Sequence, residues 1–169
     1  MTAISLPGVV IRLATLEDLE VLIKLRLDFL AESFRSLGDE EIKAVSTQLR
    51  EYYGRNLSKD LFAVLACLEG EIISCAFLVI DERPANLSFP TGRIGTVLNV
   101  YTIPVWRGKG LATQILDEIL NIARVQQVSR LQLKASATAI SLYEKVGFQI
   151  EDNDFTNMVM SMLKKKTDA

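Results

Sequence analysis

Residues Thr96 to Ala123 read TVLNVYTIPVWRGKGLATQILDEILNIA. A β-branched run, Val97 to Ile103, stops at Pro104. A short basic turn follows, Arg107-Gly108-Lys109-Gly110, and an amphipathic helix then places Leu111, Ile115, Ile119 and Ile122 on one stripe. Strand, glycine turn and helix in this order point successive backbone N–H groups and the positive end of a helix at an anion. The remainder of the chain is read as the scaffold around that anion and the pocket beside it.

The composition limits the options. The chain has 169 residues, 49% of them apolar, which suits one domain, 1–169, with a real core. The net charge of −2 argues against a nucleic-acid partner, which calls for a basic face. Neither a secretory signal nor a membrane span is expected, because the longest apolar stretches, Leu61 to Leu68 and Ile72 to Ile80, suit buried strands. A cytoplasmic location is the expectation. The chain has no histidine, which removes Ser-His-Asp and Cys-His catalysis and most zinc sites. A tight turn at Glu69-Gly70 sets Cys67 opposite Ile72 and not Cys75, so no disulfide and no metal site are expected.

Along the chain, Val9 to Leu13 reads as a strand and Thr15 as the cap of a helix from about Leu16 to Ser33. Arg26 falls on that helix's apolar face. Two readings are open there: a stem that packs while its head reaches water or an acid, or a lining residue of an acceptor pocket. A second helix spans about Glu40 to Arg55, and Phe34, Tyr52 and Tyr53 are either packing aromatics or a substrate wall. The two apolar runs form a hairpin covered on both faces. Asp81 to Arg93 is a loop whose acids either border a site or are solvated. After the central stretch come a strand at Arg130 to Lys134, a helix Ala137 to Val146 capped by Ser136 and ended by Gly147, and strands at Phe148 to Ile150 and Phe155 to Leu163. A charged tail, 164–169, is expected to fray. The order is β-α-α-β-β-β-α-β-α-β-β, a mixed α/β domain.

The glycine turn lacks the Gly-Lys-Ser/Thr of a Walker loop and does not match a dinucleotide fingerprint. Its N–H groups suit a pyrophosphate held by backbone without metal. Arg107-Gly108-Lys109-Gly110-Leu111-Ala112 resembles the Gln/Arg-x-x-Gly-x-Gly/Ala motif of the GNAT superfamily of acyl-CoA-dependent N-acyltransferases. Val100-Tyr101-Thr102-Ile103-Pro104 is similar to that family's fourth strand. Ala139 to Phe148, with Leu142-Tyr143-Glu144 and Gly147-Phe148, resembles its second conserved block.

The resemblance implies a central mixed, mostly antiparallel sheet with helices on both faces. It implies acetyl-CoA as cosubstrate and no metal. The N–H groups of Gly108, Lys109, Gly110, Leu111, Ala112 and Thr113 would bind the pyrophosphate, helped by Arg107. Val100, Tyr101 and Thr102 would pair with the pantetheine arm along an edge opened by a bulge, with an N–H near Val100 or Tyr101 polarising the thioester carbonyl. Tyr143 would protonate the leaving thiolate. An acetyl or other acyl group would pass to an amine on a small molecule, peptide or protein by direct attack in a ternary complex. A homodimer is compatible with the family. The sequence departs from the family at two places. Ser136 stands where an asparagine often contacts CoA and is expected to take its place as a CoA ligand, and Gln132 stands where some relatives carry a glutamate base. The acceptor is therefore expected to be a weakly basic amine, or one that loses its proton through water to Asp81 or Glu82. A CoA-binding regulatory domain with little turnover, and a phosphate binder unrelated to CoA, are the competing functions.

Overall fold

The computed structural model describes residues 6–152 and 158–162. Five strands form one sheet in the order β1-β2-β3-β4-β5: β1 (Val9–Leu13), β2 (Leu61–Leu68), β3 (Glu71–Glu82), β4 (Arg93–Thr102) and β5 (Arg130–Gln132). The first four are antiparallel neighbours, and β5 runs parallel to β4. A parallel pair needs a crossover, and α3 (Leu111–Val125) supplies it. Helices α1 (Leu19–Ser33) and α2 (Asp39–Asn56) cover one face of the sheet, with α3 and α4 (Ile140–Lys145) on the other.

Period-two alternation produces the two cores. On β2, Leu61, Ala63, Leu65 and Cys67 enter the core under α1 and α2, while Phe62, Val64 and Ala66 enter the core under α3. The continuous apolar run was therefore a strand buried on both sides. The hairpin turn uses positive φ at Glu69 (51°) and Gly70 (87°), the twist that two-residue hairpins favour. Cys67 pairs with Ile72 in register, and both cysteines are free. The α3 stripe is buried as its spacing predicts, with Ile115 and Ile119 at 0% exposure. Each such side chain contributes about 2 kcal/mol by burial.

Thr15 starts the first helical segment with a capping box. Its hydroxyl accepts from the N–H of Glu17 at 3.3 Å, and Asp18 accepts from the N–H of Thr15 at 2.8 Å. Three residues of 3-10 helix, Leu16–Asp18, precede α1. Asp18 also takes a bidentate pair from Arg12 at 2.7 and 2.8 Å.

The C-terminal part differs from expectation. α4 begins at Ile140, with Ala139 at the cap position and no side-chain cap, so Ser136 does not cap it. Ser136 instead lies 3.2 Å, oxygen to oxygen, from Thr138. Residues 148–150 form no strand, and neither do 158–162; residues 155–157 and 163 of the last expected strand, and the tail 164–169, lie outside the described residues. Phe148 is used otherwise, in the helix ending described below. No helix among the described residues is long and apolar enough to cross a membrane.

Candidate active site

The site is built on an irregularity in β4. Cys75 pairs with Tyr101 but Phe77 pairs with Leu98, so Asn99 and Val100 together oppose the single residue Ala76. This is a β-bulge. Asn99 takes φ 54°, a conformation asparagine tolerates better than most side chains. The bulge shifts the alternation: Val97 and Val100 face one core, Leu98 and Tyr101 the other. On its other side β4 pairs with β5 only from Ile94 to Thr96. Beyond Thr96 the strands diverge, leaving the β5-side edge of Val100 to Thr102 open. Buried Asn99 is fixed by two contacts: its Nδ2 donates to Cys75 Sγ at 3.4 Å and its Oδ1 accepts from Arg26 Nη1 at 3.3 Å.

Where β4 ends, a 3-10 turn at Pro104–Trp106 leads into the glycine turn. Gly108 and Gly110 both have φ 75°, which a side chain would strain. Gly110 is the residue before α3, and the first helical bond runs from Gln114 N–H to its carbonyl at 3.2 Å. The N–H groups from Gly108 to Thr113 have no backbone acceptor among the described residues. They form a set of free donors reinforced by the α3 dipole. Arg107 is pinned beside them. Its Nε donates to the Thr102 carbonyl at 2.9 Å, its Nη2 to Glu32 at 2.7 Å, and its guanidinium lies 5.6 Å from the Tyr101 ring centre. Lys109 points elsewhere, with Nζ 5.9 Å from the Trp106 ring centre.

Tyr143 reaches the same cleft from α4. The helix ends in a Schellman motif: Phe148 N–H donates to the Tyr143 carbonyl and Gly147 N–H to the Glu144 carbonyl, both at 3.0 Å, with Gly147 at φ 102°. The Phe148 ring meets the Tyr143 ring edge-on at 6.1 Å. The Gly-Phe pair is thus the device that locks the tyrosine's turn. Burial raises the Tyr143 hydroxyl above the ordinary tyrosine value, so it is protonated at neutral pH.

A cleft of about 570 Å³ brings these parts together. Val100, Tyr101, Thr102, Arg107, Gly108, Gly110, Leu111, Ala112, Thr113, Ser136 and Tyr143 all line it; Lys109 does not. Phe29, Glu32 and Ser33 of α1 form a wall that the sequence reading missed, although their i, i+3, i+4 spacing already put them on one helix face. Asp81 and Glu82 are not in the cleft. Asp81 pairs with Ile94, five residues before Asn99, or roughly 16 Å along the strand. Gln132 Nε2 donates to Thr96 Oγ1 at 3.1 Å. The carboxylate that does line the cleft, Glu32, is held below its usual range by its hydrogen bond to Arg107, which makes it a poor base. Tyr53 is core, edge-on to Phe77 at 5.6 Å, while Phe34 is exposed, so neither belongs to a cleft wall.

A sheet splayed at a bulge, with an anion-ready helix start at the mouth of the gap, is the arrangement that the resemblance to the GNAT superfamily implies. Residues 25–148 match the model of the acetyltransferase (GNAT) family, and the chain belongs to that family. A predicted acetyltransferase from Clostridium acetobutylicum, solved with acetyl-CoA, is 26% identical with a TM-score of 0.77, covering 89% of this chain and 96% of that one. A GCN5-related N-acetyltransferase from Ralstonia eutropha JMP134 shares the fold at 20% identity and TM-score 0.75, over 89% of this chain and 99% of that one. A ribosomal-protein-alanine N-acetyltransferase from Brucella melitensis biovar Abortus 2308 shares it at 22% and 0.63, over 90% and 99%. No curated protein matches the sequence.

Proposed function

We propose that the protein transfers an acetyl group from acetyl-CoA to an amine by direct attack in a ternary complex. The observation that carries this is the convergence of the free N–H groups of five residues (Gly108, Gly110, Leu111, Ala112 and Thr113), an open strand edge and a half-buried tyrosine on one cleft. The donors of the Gly108 to Thr113 turn hold the pyrophosphate with Arg107 beside them, and the open edge of Val100 to Thr102 pairs with the pantetheine amides. Acetyl-CoA supplies the acyl group as a thioester. An N–H at Val100 or Tyr101 polarises its carbonyl. The acceptor nitrogen bonds to the acyl carbon as the carbon–sulfur bond breaks; the amine proton leaves to water, and Tyr143 gives its proton to the departing sulfur.

In reference terms, a tyrosine donating to a thiolate is uphill by roughly 2 kcal/mol. Burial raises Tyr143, but the same cleft desolvates the thiolate and raises its proton affinity in turn. No base is assigned; an α-amine near pKa 8 costs about 1 kcal/mol to deprotonate at pH 7, against about 4–5 for a lysine-like amine. A thiol-release assay over a panel of amines tests the reading, with calorimetry for acetyl-CoA. Binding without release from any amine would make the protein a CoA-binding regulatory domain instead.

A further inference from the structure

The cleft has a direction. At one end lie Arg107 and the glycine turn. Following β4 back from Thr102 to Val100, and α1 back from Ser33 to Phe29, leads to the bulge at Asn99 and, one helical turn before Phe29, to Arg26. The Arg26 guanidinium lies 5.5 Å from the Phe29 ring centre and 3.3 Å from Asn99 Oδ1. Arg26 does not itself line the cleft; it lies beside the bulge and next to Phe29 at the cleft's end, and on the acetyltransferase reading this end, away from the glycine turn, is the one an acceptor approaches.

Its surroundings are neutral. Arg12, Arg35, Arg50, Arg83, Arg107 and Arg130 each pair with a carboxylate; among the described residues Arg26 does not, nor do Arg55, Arg93 and Arg124, but Arg26 is the one of these four beside the bulge. Its one hydrogen bond is long and goes to an amide oxygen. Burial pushes the Cys75 thiol up to about 12 and raises Tyr53, so neither supplies a counter-charge. A half-buried guanidinium with most of its fork unused is costly as a packing residue and well suited to a planar oxyanion.

We propose that Arg26 is a specificity-determining residue that binds an oxyanion, carboxylate or phosphate, carried by the amine acceptor close to its nitrogen. This rests on the acetyltransferase reading above. The test titrates matched amines onto the CoA-loaded protein by calorimetry and measures their acetylation: amino acids against their methyl esters, aminoalkyl phosphates against the corresponding amino alcohols, and peptides with Asp or Asn in second place. The wild type should favour the anionic member of at least one pair by roughly ten- to hundredfold in kcat/KM, the range for a charge-assisted bond. The pair that responds identifies carboxylate or phosphate. Arg26→Gln should erase that preference through KM, lower kcat/KM for the neutral amines far less than for the anionic ones, and be partly rescued by Arg26→Lys. If Arg26→Gln does not fold, the wild-type preference decides alone. Equal use of charged and neutral partners, or a uniform loss on all amines, overturns the inference. Failure of acetyl-CoA to bind overturns the acetyltransferase reading itself, and this inference with it.

Discussion

Tyr143 and Asp18 show how little a single residue's chemistry reveals until its neighbours are placed. Tyr143→Phe should lower turnover by about ten- to a thousandfold and leave acetyl-CoA affinity within about twofold, read by thiol release and calorimetry. The hydroxyl sits above the ordinary tyrosine value, so no alkaline limb from it should appear below about pH 10, while activity rises through the pKa of the acceptor amine. Unchanged turnover in the phenylalanine variant removes the residue from the chemistry. Asp18 is structural. The hydrogen bonds from Arg12 hold its carboxyl below the usual carboxylate range, and the Thr15 N–H adds to this. Its stabilisation is complete above about pH 4 and is lost as pH falls through the lowered folded value. Asp18→Asn should therefore cost about 1–3 kcal/mol at pH 7, and the gap to the wild type should close on acidification, as followed by urea unfolding at several pH values.

Among the elements, those with a strong period were legible. The α3 stripe, the β2–β3 hairpin and the helical start at Thr15 follow from spacing, capping and turn chemistry that act within a few residues. The glycine turn and Tyr143 were legible as motifs. What the sequence hid depends on distant partners: the contacts from Arg26 and Cys75 that hold Asn99 at the expected bulge, the α1 wall at Phe29 and Glu32, and the ion pair from Glu32 to Arg107. An asparagine inside the β-branched run Val97 to Ile103 was a signal for the bulge, since asparagine is poor in strands and tolerant of positive φ. Residues 148–150 alternate like a strand, but the Schellman ending claims Phe148 first. Gly147→Ala tests that ending. With φ 102° the variant should lose about 1–2 kcal/mol and, by loosening the Phe148–Tyr143 contact, also lose turnover; a melt and an assay on one sample separate the two. Gly95→Ala probes the paired end of the β4–β5 gap. Its Cβ would come within 2.6 Å of Leu131 and 2.8 Å of Leu78, and a destabilisation of about 1–3 kcal/mol is expected by thermal unfolding.

At the scale of the whole molecule, the sheet divides the interior in two. The core under α1 and α2 and the core under α3 and α4 share strands but not side chains. Leu25→Ala in the first and Ile119→Ala in the second should each cost about 2–5 kcal/mol, and Leu25→Ala with a milder Ile119→Val should add to within about 0.5 kcal/mol. A coupling beyond 1 kcal/mol in the double-mutant cycle would refute the partition. The division has a meaning for descent as well as for stability. On the reading proposed above, substitutions in α1 and α2 away from Phe29, Glu32 and Ser33 would leave the packing behind the glycine turn untouched, so a lineage could change what it modifies while inheriting its donor unaltered.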